Sequence, residues 1–133
     1  MKEQLYTIPV TDAFNADCEC PLCKMKHELE KNAIEYTMGP SYMEDDNRAM
    51  TDKMGFCEKH IQNLYAEKNR LGLALMLSTH MKKVTKDIKK LSELPTTNSK
   101  SLFKKKSESS SLSEYINELT QTCFICNRIN HTF

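Results

Sequence analysis

The sequence predicts an all-α protein, a small helical domain whose third helix is long and amphipathic. Three observations carry that expectation. Glycine (3) and proline (4) are scarce in 133 residues and Trp is absent, while Leu, Met, Lys and Glu, all good helix formers, are plentiful. Apolar residues recur at three- and four-residue spacing over long stretches, the period of a helix face. Cysteine and histidine come in pairs three residues apart, each at a helix-start signal.

The elements follow in order. Residues Leu5 to Val10 read as a short extended arm, because Pro9 argues against a central strand, and Asp12 caps a helical turn towards Ala16. The first long helix starts at Cys20-Pro21, since proline suits the first helical position, where its missing N–H has no partner to lose. Met25, Leu29, Ala33 and Tyr36 mark one face, and Gly39-Pro40 ends it. Ser41-Tyr42-Met43-Glu44 reads as a capping box opening the second helix. Glu44, Asp45 and Asp46 then sit in the first turn, which favours anions; Met43, Met50 and Met54 are expected on the inner face, and Gly55 closes the helix. The third helix is expected from about Cys57 to Leu94, with Ile61, Leu64, Leu71, Leu75, Leu77, Met81, Val84, Ile88 and Leu91 as its apolar positions. The last five have a heptad-like spacing, which leaves room for a homodimer through this helix. Pro95 stops it. Residues 95–111 read as a flexible Ser/Lys-rich linker, and Ser111-Leu112-Ser113-Glu114 as a second capping box before a short helix.

A net charge of +1 and the lack of a ββα finger pattern argue against nucleic-acid binding despite the lysines at 82–90 and 104–106. The N-terminus has no apolar signal core, and the longest apolar run, Leu71 to Leu77, is far too short for a bilayer. The expected compartment is the cytoplasm, with no membrane partner. In that reducing setting six clustered cysteines read as metal ligands or redox groups before disulfides.

Cys20-Pro-Leu-Cys23 is a C-x2-C pair and Cys57-Glu-Lys-His60 a C-x2-H pair. Residues i and i+3 of a helix point to the same place, so each pair offers two convergent ligands. Together they make a Cys3His set suited to tetrahedral Zn2+, with the ion joining two helix N-termini that stabilise the excess negative charge of three thiolates. Four protein ligands leave no open position, so a structural site is expected rather than a catalytic one. A second C-x2-C, Cys123-Phe-Ile-Cys126, has no second Gly-Phe-Cys-x2-His in this sequence and is read as an incomplete second site. Aligned on it, Cys18 falls opposite Gln121, which leaves Cys18 outside the metal shell. His27, one turn beyond Cys23 and in reach of a contact behind the ligands, and His80 are read as ordinary surface or core histidines, while His131 is an alternative local ligand for Cys123 and Cys126. The organisation expected is residues 1–94 as a zinc-binding helical module, 95–111 as linker, and 112–133 as the start of a second, truncated module.

The segments Leu5–Phe14, Cys18–Cys23, Glu35–Asp46, Gly55–His60 and Asn69–Leu75 resemble an uncharacterised bacterial family, a domain of unknown function with paired C-P-x-C and G-F-C-x2-H motifs. Some of its members carry a transporter-type label. The resemblance implies a longer protein with a second Gly-Phe-Cys-x2-His, and it implies no activity. Three functions compete. The first is a structural zinc-binding interaction or scaffold module that takes a protein partner and has no catalytic residues. The second is a thiol redox protein using Cys20-Pro-Leu-Cys23, which lacks the βαβ context of thioredoxin-like motifs. The third is a nucleic-acid-binding zinc module. An acid–base enzyme built on Glu44, Asp45 and Asp46 is a minor fourth, since helix capping already accounts for those carboxylates.

Overall fold

The structure is a computed structural model that describes residue 5 and residues 7–93 and 111–132. Of the linker expected over 95–111, residues 95–110, with the lysines at 104–106, lie outside the described residues, and Ser111 is helical. Among the described residues seven α-helices follow one another: α1 Ile8–Asn15, α2 Pro21–Met38, α3 Asp45–Met54, α4 Glu58–Ala66, α5 Arg70–Ser92, α6 Ser111–Gln121 and α7 Phe124–Thr132, with a 3-10 turn Pro40–Met43 before α3. No strand occurs among the described residues, and none of their helices is long and apolar enough to cross a membrane. The all-α expectation holds.

Four local expectations are corrected. The N-terminal arm is helical: α1 opens with Pro9 in its first turn and packs along α2. Ser41 does not cap α3. Its hydroxyl donates to the Tyr36 carbonyl at the end of α2, and Glu44 takes the cap position of α3. The helix expected from 57 to 94 is two helices, α4 and α5, parted at residues 67–69. Asn69 makes the break: its side-chain oxygen accepts the Gly72 N–H at 3.0 Å, and its amide donates to the Met38 carbonyl at 2.9 Å. One side chain thus caps α5 and satisfies the C-terminus of α2. The break also resets the helical phase, so Leu73 and Met76 are buried while Leu71, Leu75 and Met81 are exposed. In α3 the buried position is Thr51, with Met43 and Met50 on the surface and Met54 half-buried against the core.

The core is shared by the N-terminal helices and α7. Ala33, Ile34 and Met38 of α2, Leu64 of α4, and Leu73 and Met76 of α5 pack with Cys123, Phe124, Ile125 and Ile129. Leu64 and Ile125 are wholly buried. Arg48 ties α3 to its neighbours by donating to the carbonyls of Tyr42 and Leu75 and to Thr79 Oγ1. Across α2 and α7, the Arg128 guanidinium stacks 4.0 Å above the Tyr36 ring.

A candidate metal centre between two helix N-termini

The chain enters α4 through Gly55-Phe56. Gly55 has φ 63 and ψ −157, a region only glycine occupies without strain. A Cβ there would also stand 2.5 Å from His80 Nε2. His80 is held in place by its Nδ1–H, which donates to the Asp52 carbonyl at 2.7 Å. This elbow fixes α7 as well. The Phe124 N–H donates to the Gly55 carbonyl at 2.9 Å, Thr122 Oγ1 donates to the Met54 carbonyl at 2.9 Å, and the Phe56 and Phe124 rings meet edge to face. The start of α4 and the start of α7 therefore lie side by side.

Both starts are built alike. Cys57 is the N-cap of α4, its carbonyl accepting the Ile61 N–H at 2.9 Å. Cys123 precedes α7, and its carbonyl accepts the Asn127 N–H at 2.9 Å. His60 and Cys126 stand three residues on, one helical turn above each cap. His60 Nδ1 lies 3.2 Å from Cys57 Sγ, 3.3 Å from Cys123 Sγ and 3.4 Å from Cys126 Sγ. The four ligand atoms all fall within 4.8 Å of one another, with His60 and Cys123 buried and Cys57 and Cys126 half-buried. A tetrahedron with Zn–S bonds of about 2.3 Å has edges of roughly 3.7 Å, so this spacing and donor set fit a single ion.

The expected grouping is corrected here. The structure brings Cys57 and His60 together with Cys123 and Cys126, the pair read as an incomplete second site, and not with Cys20 and Cys23. The reason is where α2 meets α4. Glu30, not the first turn of α2, faces the start of α4. Cys20 and Cys23 lie seven to ten residues earlier, roughly 10–15 Å along the helix at 1.5 Å per residue. The cluster still joins two helix N-termini, those of α4 and α7. Cys18, His27 and His131 are exposed and outside it, and His80 serves the Gly55 elbow. The carboxylates at 44–46 are exposed, as capping residues are.

Sequence reasoning missed Glu30. Its Oε1 lies 2.9 Å from His60 Nε2 and accepts from Lys59 Nζ as well. A carboxylate can only accept, so Nε2 carries the imidazole proton and the Nδ1 lone pair faces the three sulfurs. This is the usual orientation of a metal-bound histidine braced by a carboxylate. The Lys59 ammonium first, and His60 after it, hold the Glu30 carboxyl below its ordinary range against the effect of burial. No feature of the local sequence marks Glu30, since the contact is made only when α2 crosses α4.

The electrostatics of the cluster is that of crowded thiols. Burial works against ionising Cys57, but the His60 backbone N–H and the Cys123 and Cys126 thiols overcome it and lower the Cys57 value. Cys126 is pushed up to about 12, by burial and then by negative charge on Cys123. A divalent cation offsets that repulsion, and the two helix N-termini add to its effect. At the start of α2, Cys20 is likewise an N-cap, with its Sγ accepting the Cys23 N–H at 3.3 Å. The Cys23 thiol and then its backbone N–H lower Cys20, and the Cys20 thiol, by its side-chain hydrogen bond and then its charge, raises Cys23.

Fold and site together define a helical protein with a four-residue cysteine and histidine cluster able to hold a metal ion. The chain belongs to a family of unknown function, DUF6062, whose model matches residues 1–133. No curated protein and no solved structure matches it.

Proposed function

We propose that the chain is a structural zinc protein, an interaction or scaffold module in which Zn2+ bound by Cys57, His60, Cys123 and Cys126 clamps α4 to α7. The observation that supports this is the convergence of four ligand atoms within 4.8 Å at the starts of two helices. Three thiolates and an imidazole are a recurrent structural zinc set. With all four positions taken by protein there is no place for an activated water, so the ion holds the fold and carries out no chemistry. A cleft of about 710 Å³ lies elsewhere, between α1 and α2, and is lined by Val10, Ala13, Met25 and Leu29 among others.

The test is elemental analysis of protein purified without added metal, together with Cys57→Ser and Cys126→Ser. The native chain is expected to carry zinc at this cluster, and each variant to lose it along with helicity. Variants that keep their full metal content would overturn the assignment.

A further inference from the structure

The cluster at the starts of α4 and α7 is unevenly covered. His60 and Cys123 are buried, at 2% and 4% exposure. Cys57 and Cys126 are only half-buried, so their side of the cluster meets solvent. These two residues belong to different helices, Cys57 as the N-cap of α4 and Cys126 in the first turn of α7. Their sulfurs lie within 4.8 Å of one another, a gap that side-chain rotation can close to the S–S bond of about 2.05 Å. The two helix starts are held together by contacts that pass through no ligand atom. The Phe124 N–H donates to the Gly55 carbonyl at 2.9 Å, Thr122 Oγ1 donates to the Met54 carbonyl at 2.9 Å, and the Phe56 and Phe124 rings meet edge to face. Cys123 faces the other way, into the core with Ile125 and Leu64.

We propose that the cluster is an oxidation-controlled metal site, in which a peroxide joins Cys57 to Cys126 as a disulfide and expels the zinc ion. The proposal rests on the reading of the cluster as a zinc site and adds its regulation. The chemistry takes two steps. First, one of the two solvent-facing thiolates attacks a peroxide oxygen: an S–O bond forms, the O–O bond breaks and hydroxide leaves. Second, the other thiolate attacks the oxidised sulfur: the S–S bond forms, the S–O bond breaks and a second hydroxide leaves. Each hydroxide takes a proton from solvent. Two electrons pass from the sulfurs to the peroxide, which in the case of hydrogen peroxide becomes two waters. The ion is then left with His60 and Cys123, half of the four ligands of its tetrahedral shell, and it dissociates. The disulfide takes over as the link between α4 and α7. Oxidation therefore releases zinc while the two helices stay joined, and a dithiol reductant reopens the site.

The experiment titrates hydrogen peroxide into the zinc-loaded native chain and into Cys18→Ser/Cys20→Ser/Cys23→Ser, which removes the thiols outside the cluster. Released zinc is read with a chromophoric chelator, disulfides by peptide mass mapping, and the thermal midpoint by circular dichroism. The triple variant is expected to release one zinc per chain at about one equivalent of peroxide, with a Cys57–Cys126 bridge that the native chain also forms. Its midpoint should stay above that of the same chain stripped of zinc by a chelator, and a dithiol reductant with added zinc should restore binding. Zinc retained through the titration would overturn the proposal and leave the zinc site standing. So would release accompanied by sulfinic acids without a disulfide, or by a bridge to Cys123. A chain that holds no zinc at the cluster before oxidation would sink the zinc assignment and the proposal with it.

Discussion

Glu30 and Gly55 show how single residues outside a ligand set control it. Glu30 fixes the His60 tautomer through a 2.9 Å hydrogen bond to Nε2. Glu30→Gln keeps the shape but loses the charge, and it is expected to weaken metal binding about 10–100-fold without unfolding the chain. Competition against a chromophoric chelator measures this, and an unchanged affinity would show that the carboxylate has no part in the site. Gly55 occupies a backbone region closed to other residues and lies against His80. Gly55→Ala is expected to cost about 1–3 kcal/mol from backbone strain alone, read as a lower denaturation midpoint. It should also loosen the metal, because the Gly55 carbonyl anchors the first N–H of α7. The candidate pairs were legible in the sequence, Cys57 with His60 and Cys123 with Cys126 among them, since an N-cap and a residue three places on form a local pattern. Which pairs face each other was not legible. That depends on α2 crossing α4 at Glu30 instead of at Cys20, a choice made by packing of Ile34, Leu64 and Ile125 in the common core.

Helices are held to one another by a few polar contacts whose reading from sequence is uneven. The start of α2 was plain from Cys20-Pro21, and the end of α4 was hidden. A long run of helix formers masks a stop when the residue that causes it, Asn69, acts through a carbonyl 31 positions away in α2. The α5 to α6 contact is electrostatic. Asp87 accepts from Lys83 at 2.6 Å and from the Tyr115 hydroxyl at 3.0 Å. The Lys83 hydrogen bond first, then Tyr115, lower its carboxyl below the ordinary 3.8 against burial. A depressed folded value contributes stability that is fully present above the unfolded value and is lost as pH falls through the folded one. Asp87→Asn should therefore be less stable than the native chain at neutral pH, and the gap should close below about pH 3.8. Urea melts across that range test it; a gap that stays constant with pH would mean that charge is not the cause.

At the scale of the whole molecule, the cluster ties residues that are 66 positions apart. A bound ion there acts as a cross-link between the Gly55 elbow and the last helix, and its binding free energy becomes folding free energy, on the order of 10 kcal/mol for structural zinc. For a chain of 133 residues that is comparable to the whole stability of an ordinary domain of this size. A strong chelator is expected to lower the thermal midpoint by tens of degrees or to unfold α7 outright, followed by circular dichroism, with recovery on adding zinc. Equal melting curves with and without chelator would remove the ion from any structural role.

The separation of the two ligand pairs also has a consequence for how the protein is made. Translation at about 5–20 residues per second places Cys126 roughly 3–13 s after His60. Through that interval the nascent chain presents Cys57 and His60 as an open pair, with Cys20 and Cys23 already synthesised and able to compete for the same ion. Correct assembly then depends on the order in which helices emerge, and on the scarcity of free metal while they do.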